Sequence, residues 1–371
     1  MTTTKGLEGV VAATSEISSI IDGVLTYRGI NIDDLAEHAE FEEVIYLLWH
    51  GKLPNRTQLD ELKKALNENA PIPNEVIQMM KLSPKEVHPM ALLRTALSAL
   101  SLYDEEAQDM SEAANLRKAT KLVAKMPTLV AAWGRIRNGE EPIAPRPDFG
   151  YVQNFLYMLS GKEPDEVAIR AFNTAMVLHA DHEFNASTFA ARVTVATLSD
   201  IYSGVVAAMG ALKGPLHGGA NEQVMAMLEE IKIPERVEEY ITNKLNNKEK
   251  VMGFGHRVYK DGDPRAKHLR RMSENLAQLT GDYKWYRMSV MIEKLVYDLK
   301  GLKPNVDFYS ASVYHSLGLP RDLFTPIFAI SRMSGWTAHI LEQYRDNRLI
   351  RPRAEYTGPV NVKYIPVEQR A

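Results

Sequence analysis

Three stretches punctuated by glycine and proline each set an ionisable side chain beside a helix start. Free N–H groups and about half a positive charge favour anions there and keep a histidine neutral. The first is Lys213-Gly-Pro-Leu-His217-Gly-Gly-Ala-Asn221. Gly214 and Pro215 suit a helix end, the next helix begins near Ala220, and His217 falls in the bend. A neutral imidazole there is a hydrogen-bond donor that a ligand can approach past small neighbours. The plainer reading is a histidine that caps a turn.

The second stretch is Val251-Met-Gly253-Phe-Gly255-His256-Arg257-Val-Tyr-Lys260-Asp-Gly-Asp263-Pro264-Arg265. Asp263 before Pro264 reads as an N-cap with proline at the first helical position, and Arg265 points from the first turn. An anion could be shared there between cations and backbone N–H groups. Gly253 and Gly255 lack the third glycine and the strand-to-helix context of a dinucleotide fingerprint. That leaves a basic glycine loop for a phosphate-bearing ligand, or a charged surface loop. In the third stretch, Lys303-Pro-Asn305-Val-Asp307-Phe-Tyr-Ser310, Asp307 reads as an N-cap for a helix to Leu317. The alternative is an acceptor between Val306 and Phe308, whose desolvation raises its basicity.

His179 and His182, three apart, are expected on one helix face. They lack the spacing of four, with glutamate between, that a zinc protease uses, so they read as core or ligand-binding histidines and no metal is expected. Arg332, Arg345, Arg348, Arg351 and Arg353 crowd the C-terminal segment, where an arginine facing a cleft would grip a carboxylate with two bonds. No G-x-S-x-G elbow or Walker loop occurs. With no cysteine in 371 residues, disulfides, thiolate metal sites and a cysteine nucleophile are excluded. Histidines, an aspartate and arginines around a cleft suit carbon-acid chemistry on a polycarboxylate.

The elements that position these groups are mostly helical. Residues 10–13 and Val24–Tyr27 read as short strands with Asp22-Gly23 as a turn, after which the apolar spacing turns helical. Thr57 is expected to cap a helix that Pro71 and Pro73 stop, and helical texture runs from Pro89 to Arg137 with a break near 104–110. Residues 140–148 form a proline-rich loop. The run 186–211 is crowded with Ala, Ser, Thr and Gly, which lets helix axes approach closely in a core or across a subunit interface. Breakers cluster after 214, so 219–330 is read as a smaller domain inserted between 1–218 and 331–371. The net charge of −3 gives no basic field for nucleic acid, and no stretch reaches the roughly 18 apolar residues of a membrane span. The first residues lack the layout of a signal peptide, so a cytoplasmic protein is expected.

Taken in order, the three stretches resemble the catalytic segments of the citrate synthase family. His88-Pro-Met90, His179-Ala-Asp-His182-Glu, Asp263-Pro-Arg265, Ser331-Arg332-Met-Ser-Gly335 and Ile350-Arg351-Pro-Arg353 add to the likeness, which runs from about Gly6 to Pro359. The form it resembles is the short one of Gram-positive bacteria and archaea, without the long N-terminal extension of the NADH-regulated type. The resemblance implies an all-α, two-domain fold and a homodimer that condenses acetyl-CoA with oxaloacetate and water to citrate and CoA. It implies Asp307 as the base, His217 as the donor to the thioester oxygen and His256 as the acid at the oxaloacetate ketone. His182, Arg265 and Arg332 would hold oxaloacetate, with Arg351 reaching in from the partner subunit. Val251, Gly253, Gly255, Lys260 and Lys303 would meet coenzyme A, and no permanently bound cofactor is implied. The motifs do not separate acetyl-CoA from propionyl-CoA, the substrate of a 2-methylcitrate synthase. A catalytically silent CoA-binding scaffold is the reading from outside the enzymes.

Overall fold

The computed structural model describes residues 5–7, 9–256, 258–259 and 261–370. A small antiparallel sheet comes first, β1 (Ser18–Ile21), β2 (Val24–Tyr27) and β3 (Ile30–Asn31), in the order β1-β2-β3. Asp22 and Gly23 both take positive φ and turn β1 into β2. Sixteen α-helices follow among the described residues. The first eight are α1 (Ile32–His38), α2 (Phe41–His50), α3 (Arg56–Asn69), α4 (Asn74–Leu82), α5 (Pro89–Ala99), α6 (Glu112–Ile136), α7 (Tyr151–Ser160) and α8 (Glu166–His179). The rest are α9 (Ala186–Val195), α10 (Ile201–Leu212), α11 (Ala220–Ile231), α12 (Val237–Asn246), α13 (Ala266–Thr280), α14 (Lys284–Lys300), α15 (Val306–Ser316) and α16 (Phe324–Arg345). The fold is all-α apart from the short sheet.

Two long helices form the spine. α6 and α16 pack on each other, and α16 is buried over most of its length because α2, α8, α9 and α10 also cover it. The proline inside α6 is accommodated from outside. Pro127 has no N–H to give the Val123 carbonyl one turn back, and the Tyr151 hydroxyl donates to that carbonyl instead, at 2.8 Å. The small-residue run forms α9 and α10, which pack on each other and on α16. A Cβ on Gly204 would lie 2.6 Å from a Val195 methyl and 2.9 Å from Ile340, so bare backbone is what admits the neighbours. Helices α11 to α15 pack largely on one another, and α13 and α15 also reach α8.

Several local expectations are corrected. Residues 10–13 form no strand; Val11 is exposed, and β2 takes β1 as its partner through the tight turn. Asn55, not Thr57, caps α3, because its side chain accepts the Gln58 N–H while Gln58 returns the bond. α8 ends at His179, so His182 lies in the bend beyond it and the two histidines share no helix face. The N-cap of α15 is Asn305, which accepts the Asp307 N–H and leaves the Asp307 carboxylate free of the capping task. α13 begins at Ala266, two residues later than the Asp-Pro pair suggests.

Candidate active site

The sheet exists in this fold as a bracket for the bend that carries His182. The buried Tyr27 hydroxyl donates toward the Asp181 carbonyl at 3.0 Å and that of Val177 at 3.1 Å, at the end of α8. Ser18 in β1 bonds the Asp181 carboxylate and accepts the Glu183 N–H, and Glu183 in turn accepts the Ile20 N–H at 2.8 Å. From the other side α16 presses in at Gly335. A Cβ there would sit 2.3 Å from the Ala180 carbonyl oxygen, which only glycine avoids. His339 of α16 donates its Nε2–H to the Asp181 carboxylate at 3.2 Å, because Arg192 already donates to its Nδ1.

His217 lies in the turn between α10 and α11. The Gly218 N–H bonds back to the Leu212 carbonyl at 3.0 Å, and a Cβ on Gly218 would collide with that oxygen. The free N-terminal turn of α9 meets the ring: the Ser187 N–H lies 3.2 Å and its hydroxyl 2.8 Å from Nε2. A backbone N–H can only donate, so Nε2 is the acceptor and the ring proton sits on Nδ1. Burial, with the Arg332 charge, pushes the His217 pKa down to about 4. The imidazole is a neutral N–H donor at neutral pH.

The second and third motif stretches are joined edge to edge. Phe254 and Pro304 form an antiparallel bridge, the Gly255 N–H donates to the Lys303 carbonyl, and the Asn305 N–H donates to the Gly253 carbonyl. Gly253 has φ 84°, and a Cβ there would lie 2.8 Å from Phe308. This pairing sets His256 beside the start of α15. The Val258 N–H donates to His256 Nδ1 at 3.0 Å, with that of Tyr259 at 3.4 Å, which places the proton on Nε2. Burial, and then Arg265, lower its pKa.

Asp263 does more than the capping role read in the sequence: it accepts the Arg265 N–H at 3.1 Å, as a cap would, although α13 begins only at Ala266. Its carboxylate takes the Arg265 guanidinium with two bonds and also the Val306 N–H, the first of α15. Both members of the pair are buried. Burial works against each charge, yet Arg265 holds the Asp263 carboxyl below its ordinary range and Asp263 holds Arg265 above its own. Arg332, on α16 and also buried, donates its Nε–H to the His179 carbonyl at 2.7 Å. Burial brings its pKa down to about 10, against the pull of Asp181. Two arginines with such different support both act on Asp307. Their charges lower its pKa, but burial outweighs them and pushes it up to about 6. His182 stands 5.2 Å from His256, ring centre to ring centre, and burial with both arginines and His256 holds its pKa well below the ordinary value.

His182, His256, Arg265, Arg332, Asp307 and, through the field of Arg332, His217 are thus drawn into one electrostatic cluster. A neutral donor, a second neutral donor, a base of raised pKa and two cations are what carbon-acid chemistry on a dicarboxylate needs. A family model described as the citrate synthase C-terminal domain matches residues 6–353. The chain belongs to the citrate synthase family. It is 65% identical to citrate synthase 2 of Bacillus subtilis (strain 168) over the whole of both chains, and 50% identical to the citrate synthase of Haloferax volcanii over 99% of this chain and 98% of that one. Among solved structures it is similar to the citrate synthase of Thermoplasma acidophilum in a ternary complex with carboxymethyl coenzyme A and oxaloacetate. The TM-score is 0.93 and the identity 36%, over 98% of each chain. It is an acyltransferase of the citrate (Si)-synthase type, and acetyl-CoA is the substrate the citrate synthase family uses.

The remaining expected residues fall elsewhere or outside. Lys303 donates its ammonium to the Asp261 carbonyl at 2.8 Å and is exposed. Lys260 lies outside the described residues. Arg351 is exposed in the tail after α16. Reading the sequence missed Ser187, which carries no motif signal of its own, and gave no role to Asp181, although it lies inside the His179-Ala-Asp-His182-Glu segment. It also passed over Tyr259, which the spacing from His256 places three residues along the same loop.

Proposed function

We propose that this cleft condenses acetyl-CoA with oxaloacetate and water to citrate and coenzyme A, the entry step of the tricarboxylic acid cycle. The observation that carries the reading is the split in protonation. Asp307 is lifted to about 6 while His217, His256 and His182 are held down as neutral rings. Such a split assigns base and donors at neutral pH.

Asp307 takes a proton from the methyl group of acetyl-CoA, and the C–H electron pair moves toward the thioester oxygen. That proton is far less acidic than a carboxylic acid, and burial of a base supplies only about 3–5 pKa units at most. The larger share falls to the Nδ1–H of His217, which donates to the developing oxyanion. The new carbon nucleophile attacks the ketone carbon of oxaloacetate, and Nε2–H of His256 protonates the ketone oxygen as the carbon–carbon bond closes. Arg265 and Arg332, with His182, hold the substrate carboxylates. Water then cleaves the thioester of citryl-CoA, which needs a cleft that excludes water first and admits it later.

The division into 1–218 with 331–371 and an inserted 219–330 belongs to the same reading, supported by the mutual packing of α11 to α15. Glycines at 218, 219 and 318 are its hinge candidates. Val251, Gly253 and Gly255, with Lys260 and Lys303, are proposed as the coenzyme A contacts. The active form is proposed as a cytoplasmic homodimer in which Arg351 completes the partner's site; its exposure on the tail leaves it free to reach across. No described helix is long and apolar enough to cross a membrane.

The test is thiol release from acetyl-CoA and from propionyl-CoA, each with and without oxaloacetate. A chain without cysteine adds no thiol of its own. Oxaloacetate-dependent release favouring acetyl-CoA supports the reading. A preference for propionyl-CoA reassigns the substrate with the same residues in the same roles, and no release with either removes the mechanism.

A further inference from the structure

In each of the three cleft histidines the protein commits one ring nitrogen. Ser187 occupies Nε2 of His217, and the backbone N–H groups of Val258 and Tyr259 occupy Nδ1 of His256. For His182 the committed nitrogen is Nε2, 2.9 Å from the Tyr259 hydroxyl. With Nε2 committed to Tyr259, Nδ1 is the nitrogen left for a ligand; a substrate carboxylate only accepts, so with His182 as its ligand the proton is on Nδ1, Nε2 offers a lone pair, and the phenol is the donor. The bond made by one imidazole nitrogen decides what the other can do.

We infer that Tyr259 is a positioning residue for oxaloacetate binding: its hydroxyl fixes the tautomer and aim of His182, so that Nδ1–H is the donor offered to a substrate carboxylate. The inference rests on the reading of His182 as an oxaloacetate ligand. Tyr259 is built for the task. It is 5% exposed, its ring packs 4.6 Å from His256, and it meets His182 edge-on at 5.5 Å. Burial raises the phenol pKa, so it stays a neutral donor. His182 hangs from the bend braced by the sheet, whereas Tyr259 comes in on the loop with His256. The hydroxyl therefore sets His182 in its working state only when that loop is in place.

Tyr259→Phe keeps the rings in contact and deletes the donor. The experiment measures steady-state kinetics for Tyr259→Phe, His182→Ala and the double variant. The expected result is a rise of about tenfold in the oxaloacetate KM of Tyr259→Phe, with kcat and the acetyl-CoA KM within about twofold of the parent. In the His182→Ala background the same substitution is expected to change the oxaloacetate KM by less than twofold, since its target is gone. An unchanged KM in Tyr259→Phe overturns the inference, as does a tenfold rise that persists without His182. An unchanged KM in His182→Ala overturns the reading of His182 itself, and the inference with it.

Discussion

The Asp263 carboxylate holds the Arg265 guanidinium by two bonds, 2.9 Å from Nε and 2.8 Å from Nη2, and the same group accepts the Val306 N–H at 3.0 Å. One buried anion therefore fixes the cation proposed for oxaloacetate and the first turn of the helix that bears Asp307. Removing one charge of a buried pair leaves the other uncompensated, at a cost of about 3–5 kcal/mol. Asp263→Asn is expected to raise the oxaloacetate KM at least tenfold and to lower kcat as α15 loses its anchor. Kinetics and a thermal melt on the same preparation check both effects; a variant that melts lower but keeps its KM would confine Asp263 to a structural part.

The pH profile follows from the protonation split. A base lifted to about 6 in the free enzyme is lost as pH falls through that value, so kcat/KM is expected to drop about tenfold per unit below pH 6. His217, held near 4, stays neutral over that range and adds no second limb above pH 5. A profile flat from pH 7 to pH 5 would remove Asp307 as the base.

The same shift acts on stability in the opposite sense from a salt-bridged carboxylate. With the native pKa raised above 3.8, the folded state binds the proton more tightly than the unfolded chain does. Stability therefore falls as pH rises from about 4 to about 6, and the full cost is present above that window. Two units at about 1.36 kcal/mol each bound that cost at about 3 kcal/mol. Asp307→Asn removes the charge and is expected to be more stable than the parent at pH 7 by up to that amount, equal to it at pH 4, and slower in turnover by orders of magnitude. Denaturant melts at the two pH values separate this from a general stabilisation.

The motif stretches were legible because their chemistry needs particular residues at particular spacings around glycine and proline. What could not be read was which neighbour each side chain serves. Asp263 and Asp307 both looked like N-caps, since a carboxylate before a helical run is usually one. Asn305 supplies the cap in the second case, and in the first Asp263 accepts the Arg265 N–H as a cap would while its carboxylate also serves the buried guanidinium and the Val306 N–H. His182 left its helix because the sheet, at the far end of the sequence, holds the bend open through Tyr27 and Ser18. The spacing of three was right for a helix and blind to a partner some 150 residues away. Residues 10–13 had strand composition but no strand beside them, and composition alone does not pair an edge.

Away from the cleft, the Tyr151 hydroxyl and the Pro127 ring form a testable pair. Proline inside α6 leaves the Val123 carbonyl without its helical donor, in a core where water cannot substitute, and Tyr151 fills the place at 2.8 Å. Tyr151→Phe keeps the ring against Phe41, 5.4 Å away, and orphans that carbonyl. The expected loss is about 1–3 kcal/mol, the cost of an unsatisfied buried acceptor. Pro127→Ala restores an N–H one turn after Val123, so the double variant is expected to regain most of the loss. Neither residue touches the cleft groups, and kcat should stay within about twofold throughout. Denaturation of the two single variants and the double checks the pair: equal losses in the presence and absence of Pro127 would show that the hydroxyl stabilises α6 by some means other than replacing the missing helical bond.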